Sequence, residues 1–223
     1  MQHWEILFKK AVKQLKAGKL SNSSWSFGGG TAMMLRLNHR ISKDIDIFLP
    51  DLQLLGHVSP RVNDGVEASR YDEQQNFIKL YFPEGEVDFI ASPAVTQIKP
   101  FFREVAGVYA YVDDPVEIVS KKIMYRADEF KLRDMFDLAL VYDRLKADLL
   151  KVAPILAPKV ESLTNRINHW EASEQLETKF REIDILDGGR TIRGQELEIC
   201  RRCLNDIILH KDRPLEFDAG LSR

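Results

Sequence analysis

Asp44 and Asp46, one residue apart in KDIDIFLP, stand in a run whose other members are largely apolar. In an extended chain residues i and i+2 project to one side, so the two carboxylates share a face. Ile45 and Ile47 then anchor the strand in a core on its other face. Two carboxylates a few ångströms apart repel, and burying either one is costly. A divalent cation resolves this, because Mg²⁺ takes oxygen ligands from one or two carboxylates together with substrate phosphates. The plainer reading is an edge strand with a solvated acidic face, which a D-x-D pair alone does not exclude. Upstream stand Gly28, Gly29 and Gly30. Glycine lets a backbone approach a phosphate closely, and the free N–H groups of a helix beginning at Thr31 would point at that anion. A tight turn needing positive φ would use the same glycines, and the two readings are compatible. Asp88, in EVDFI, is a third acid on a run with an apolar opposite face. If its strand pairs beside the first, three carboxylates converge, enough for two metal ions or for one metal and a general base. Otherwise Asp88 is an ordinary exposed residue of a hairpin. Lys122 and Arg126 stand at i and i+4 in a helical run and share a face. Lys as a point charge and Arg as a fork suit a triphosphate, whereas a solvated helix laced with ion pairs is the bland alternative. Lys121 competes with Lys122, and spacing to the arginine favours Lys122.

The elements that must hold these residues follow from periodicity. Residues 3–17 form an amphipathic helix with Trp4, Leu7, Phe8, Ala11, Val12 and Leu15 on one face. A short strand over 25–27 runs into the glycines, a helix follows over 31–37, and a polar loop leads to the strand carrying Asp44 and Asp46, which Pro50 ends. Strands are expected over 66–71, 77–82 and 86–91, the last two joined through Pro83-Glu84-Gly85, and a second hairpin over 101–105 and 108–112 turns at Gly107. At Asp113-Asp114-Pro115 the texture changes to helices, over 115–127, 131–146, 159–170, 173–186 and 194–209. The expected fold is α+β: an α/β-type domain with a mixed sheet over 1–112, then a helical bundle over 113–223.

The 223 residues suit one large domain or two small ones, and 44% hydrophobic content supports a sizeable core. A net charge of −2 argues against a nucleic-acid binder driven by bulk charge, though not against a local basic patch. Two cysteines, Cys200 and Cys203, are too few for a disulfide framework and lack the histidines or second pair of a zinc site. The N-terminus lacks the unbroken apolar stretch of a signal peptide, and no run approaches a bilayer span. The expectation is a cytoplasmic protein without membrane contact. Arg190, Arg193, Arg201 and Arg202 cluster late in the chain, where Glu196 and Glu198 dilute them.

The glycine–aspartate pattern resembles the nucleotidyltransferase superfamily that includes polymerase beta. The fuller string GGTAMMLRLNHRISKDIDIF resembles, more narrowly, the AbiEii/AbiGii-type toxin nucleotidyltransferases, whose arginine, serine, D-h-D and phenylalanine positions are filled here by Arg40, Ser42, Asp44, Asp46 and Phe48. A second block, EIVSKKIMYRADEFKLRDMFDLAL, is similar to the family's lysine–arginine and R-D-h-h-D motif, with Lys122, Arg126, Arg133, Asp134 and Asp137 in its places. A glycine usual in the family near residues 38–39 is absent. The resemblance covers roughly 25–50 and 86–140; residues 141–223 carry no recognised motif.

It implies a Mg²⁺- (or Mn²⁺-) dependent transfer of NMP from an NTP to RNA, tRNA first, by the toxin of a bacterial toxin–antitoxin or phage-defence system with a cognate antitoxin. Asp44, Asp46 and Asp88 would hold metal. Gly29, Gly30, Thr31 and Ser42 would receive the nucleotide, with Lys122 and Arg126 neutralising charge and the helical domain completing the NTP cleft. Asp134 would orient the basic pair or act directly. Transfer to a protein hydroxyl or small molecule, and a non-catalytic NTP- or RNA-binding module, are the rival readings.

Overall fold

The computed structural model describes residues 2–215; residues 216–223 of the expected helical domain lie outside the described residues. Helix α1 (His3–Ala17) starts with Glu5 reaching back to the Gln2 N–H at 3.2 Å, and buries Leu7, Phe8, Ala11, Val12 and Leu15 as one stripe. Strand β1 (Ser26–Gly28) leads directly into α2 (Gly29–Leu37), which ends on Asn38 in the left-handed conformation. Strand β2 (Ile45–Leu49), the short helix α3 (Leu55–Val58), and strands β3 (Arg70–Glu73), β4 (Phe77–Phe82), β5 (Gly85–Ala91), β6 (Phe101–Val105) and β7 (Val108–Val112) follow.

They form one seven-stranded mixed sheet in the order β3-β4-β5-β2-β1-β7-β6, parallel at β2–β5 and β1–β7 and antiparallel elsewhere. The period of two divides it into faces. Ile78, Phe89, Ile47, Phe27 and Val112 lie level across five strands, and all are buried. Helix α1 covers this apolar face, its Phe8 ring 4.9 Å from that of Phe27. One residue along each strand, Lys79, Asp88, Asp46 and Gly28 lie level on the opposite face. Ala106 and Gly107, both at positive φ, make the two-residue turn between β6 and β7.

The strand expected over 66–71 lies later, at Arg70–Glu73. The cause is Gln14, a fully buried residue of α1 whose amide donates to the Val58 carbonyl (3.0 Å) and to Asn63 Oδ1 (2.8 Å), while its oxygen accepts from the Val66 N–H (3.0 Å). Val58, Asn63 and Val66 are thereby tied to the helix, and pairing with β4 begins only at Ser69, whose N–H donates to the Tyr81 carbonyl.

By contacts the chain divides into two units. The first is the chain up to Ala94 together with Lys99–Asp114; the second is Val95–Ile98 together with the chain from Pro115. The second unit contains α4 (Pro115–Arg126), α5 (Leu132–Lys151), α6 (Ala153–Leu156), α7 (Val160–Glu171), α8 (Leu176–Arg181) and α9 (Glu196–Leu209). Helix α5 runs beyond the expected 146 but breaks its regular backbone at Leu145, and it packs against α4 and α9. The helix expected over 173–186 is reduced to α8, which buries no residue and so lacks the packed face that sustains a helix in water. Val95–Ile98 is held by the buried Glu117 of α4, whose carboxylate accepts from the Val95 N–H (2.9 Å), the Thr96 N–H (2.8 Å) and the Thr96 hydroxyl (2.6 Å). The fold is α+β, a mixed sheet with its helices followed by a helical C-terminal region. Among the described residues no helix is long and apolar enough to cross a membrane.

Candidate active site

The sheet unit places Asp46 level with Asp88 on the neighbouring parallel strand β5 and level with Gly28 on the antiparallel strand β1. Asp44 precedes β2; its Oδ1 accepts from the Glu86 N–H at 3.3 Å, and its carbonyl accepts the buried Thr31 hydroxyl at 2.5 Å. Thr31 thus fixes the backbone from which Asp44 projects. Among the described residues no three His, Cys, Asp or Glu side chains are already gathered as a metal site. The donors nevertheless suit a hard dication. They are carboxylate oxygens, and Asp88 Oδ1 is a buried acceptor without a hydrogen-bond partner among the described residues. Burial, then the nearby charge of Asp46, push the Asp88 carboxyl up to about 7 against the opposing pull of Lys79.

The glycines answer to the aspartates. Gly29 has φ +66°, and a Cβ there would stand 1.7 Å from Asp46 Oδ2. A side chain at Gly30 would meet Ser42 Oγ at 2.7 Å and the Arg40 guanidinium at 2.9 Å. Helix α2 therefore begins two residues before the expected Thr31, with its first turn bare and pressed against Asp46, Ser42 and the buried Arg40. Gly29→Ala is expected to destabilise the protein by at least ~1–2 kcal/mol through backbone strain alone. By displacing Asp46 it should also cut transfer about a hundredfold. Urea denaturation and an initial-rate assay check both, and a variant with wild-type activity would show that the contact does not matter.

In the helical unit Lys122 donates to Asp134 Oδ1 at 2.9 Å and to Asp137, both carboxylates being fully buried. Arg126 donates to the same Asp134 oxygen at 2.6 Å, and the Lys131 N–H donates to Asp134 Oδ2 at 3.2 Å. Burial pushes the Asp134 carboxyl up, but Lys122 and Arg126 outweigh it and hold the group below its ordinary range. Two of the three Lys122 donors are spent on these carboxylates. Arg126 is the more open of the two cations, 36% exposed, and its Nε lacks an acceptor among the described residues. Lys121 is buried beside Glu117, 3.5 Å away.

Sequence reasoning missed Lys79, Glu86 and the orienting part of Asp137. Glu86 and Asp88 repeat on β5 the i, i+2 spacing of Asp44 and Asp46, and Lys79 alternates with Ile78 and Leu80, so the period of two carried the signal. Three of the four late arginines are dispersed in pairs of their own: Arg190 with Asp187, Arg201 with Glu171, Arg202 with Glu198. Cys200 and Cys203 are buried, and burial pushes both thiols up, so neither is a reactive thiolate.

Comparison with known proteins identifies the family. The family model described as nucleotidyl transferase AbiEii toxin, type IV TA system, matches residues 17–187, well over half the chain. No match is found among curated proteins. Among solved structures, a candidate nucleotidyltransferase from H. pylori aligns at 16% identity over 93% of this chain and 92% of its own, with a TM-score of 0.46. The nucleotidyltransferase toxin MenT4 from Mycobacterium tuberculosis H37Rv aligns at 15% identity over 92% and 94%, with a TM-score of 0.43. Both are too distant to add to the family match. That match runs through the glycine turn, the paired aspartates and the basic helix alike, and by it the chain belongs to the AbiEii family of toxin nucleotidyltransferases and is a nucleotidyltransferase.

Proposed function

We propose that the chain transfers NMP from an NTP to the hydroxyl of an RNA acceptor, tRNA foremost, in a reaction that depends on Mg²⁺ or Mn²⁺. The observation that carries this reading is the level placement of Asp46 and Asp88 on adjacent parallel strands, with the bare first turn of α2 pressed against Asp46. Asp44, Asp46 and Asp88 would hold the metal, whose charge supports the triphosphate and the developing negative charge on its α-phosphorus. The N–H groups of Gly29, Gly30 and Thr31, with the Ser42 hydroxyl, would receive phosphate oxygens. The acceptor oxygen would bond to the α-phosphorus as the bond to the β-phosphate oxygen breaks and pyrophosphate leaves; Asp88 would complete the metal site or help take the hydroxyl proton.

In the helical unit, Arg126 and the remaining Lys122 donor would neutralise phosphate charge. Asp134 is the residue that orients them, because its two oxygens are occupied by Lys122, Arg126 and the Lys131 N–H and it has no exposed surface. The family implies an antitoxin partner, and we place the encounter in the cytoplasm, where NTP and tRNA are found. Each α-labelled NTP, incubated with the protein, Mg²⁺ and total tRNA or cell lysate, should place label in RNA. Label in protein would redirect the reading to a protein hydroxyl, and no label in any pool would overturn catalysis.

A further inference from the structure

Asp88 stands between neighbours of opposite charge. Strand β2 brings Asp46 level with it on one side, and β4 brings Lys79 level with it on the other. Lys79 Nζ lies 3.3 Å from Asp88 Oδ2 and 2.6 Å from Glu86 Oε2. Glu86 in turn donates its N–H to Asp44 Oδ1 at 3.3 Å. The Lys79 and Asp88 side chains are only 25% and 18% exposed, so water screens the pair weakly. The other Asp88 oxygen, Oδ1, is buried and receives no hydrogen bond among the described residues.

We infer that Lys79 is a positioning residue of the metal site: it fastens one oxygen of Asp88 toward β4 and leaves the other facing a divalent cation. The inference rests on the metal-dependent reading above and adds a residue to it. Three features make Lys79 more than a surface partner. It is itself held by Glu86, its partner oxygen on Asp88 is distinct from the unsatisfied one, and the same Glu86 links it to the loop carrying Asp44. A carboxylate held at one oxygen presents the second in a fixed direction, whereas an untethered one rotates and must be ordered again by each incoming ion. Partners that hold metal ligands in place typically contribute ~10–100-fold to metal affinity. A lysine that merely competed with the cation would have the opposite sign, since its removal would tighten binding.

The test is direct Mn²⁺ binding to the full chain, read as free Mn²⁺ by electron paramagnetic resonance, with circular dichroism to confirm the fold. Lys79→Met is expected to weaken Mn²⁺ binding at least ~10-fold. Lys79→Arg, which keeps charge and donors, should recover most of the loss. Should Lys79→Met fail to fold, Lys79→Gln is read in its place, with the same direction expected. Unchanged or tighter Mn²⁺ binding in either neutral variant overturns the inference, as does an arginine variant no better than methionine, or a wild-type chain that binds no Mn²⁺. A wild type that binds Mn²⁺ but labels no acceptor defeats the enzymatic reading and leaves the Lys79 assignment standing.

Discussion

Asp46→Asn should abolish nucleotidyl transfer, by roughly 10³-fold or more, and at the same time change how the stability of the metal-free protein depends on pH. The loss follows from removing the carboxylate that stands level with Asp88 and against the first turn of α2. The pH dependence follows from the same geometry, because the Asp46 charge opposes ionisation of Asp88 on the adjacent strand. That opposition is on the order of 1 kcal/mol. The effect has a pH signature. Asp88 is raised from 3.8 to about 7 by burial first and the Asp46 charge second. The folded state therefore binds this proton more tightly than the unfolded one. The associated stability is fully present below pH ~4 and is lost as pH rises through ~7. In the Asp46→Asn variant, ionising Asp88 meets less repulsion, so the stability gap between variant and wild type should be small at pH 5 and larger at pH 8. Urea denaturation in chelator at the two pH values measures it. An equal gap at both, or retained transfer, would refute the assignment of Asp46.

The second large effect concerns the helical unit. Asp134→Ala should destabilise the protein by about 3–5 kcal/mol, the usual result of removing one partner from a buried ion cluster. Lys122 would be left with Asp137 alone, Arg126 would lose its anchor, and the Lys131 N–H at the start of α5 would lose its acceptor. Asp134→Asn keeps an acceptor oxygen and should fold, with transfer reduced through a loosened Lys122 and Arg126. An alanine variant with wild-type denaturation behaviour would contradict this account. An asparagine variant that folds normally yet is as inactive as Asp46→Asn would show Asp134 acting directly in the chemistry instead of orienting the cations.

Much of the framework around the candidate site was legible because period and composition act locally. Alternation in DIDIFL put Asp46 opposite Ile45 and Ile47 in β2, the Pro83-Glu84-Gly85 turn fixed β4 against β5, and Ala106-Gly107 closed the second hairpin; Asp44 falls just before the strand, where its carboxylate accepts from the Glu86 N–H. What alternation does not contain is which strand lies beside which. The parallel pairing of β2 with β5, which makes Asp88 a neighbour of Asp46, joins residues far apart in the chain. Lys79, by contrast, reaches Asp88 through the local β4–β5 hairpin, whose register the turn at Pro83-Glu84-Gly85 sets. Likewise the i,i+4 spacing of Lys122 and Arg126 read as a basic face, but both cations turn toward acids of the following helix, a choice that packing makes. The missed shift of β3 is also tertiary: one buried amide, Gln14, holds the chain before it. The failed helix over 173–186 is the converse, a stretch whose spacing permits a helix but whose side chains are not buried.

The excursion of Val95–Ile98 into the helical unit has an evolutionary meaning. A module that borrows part of its interior from a loop of the module before it cannot be inherited by simple fusion at a single joint. If the stretch beginning at Pro115 were transplanted alone, Glu117 would lose three donors and keep Lys121 as its neighbour. A helical unit cut at Pro115 would therefore have to be given Thr96 or an equivalent donor along with the helices to keep that carboxylate as well met as it is here.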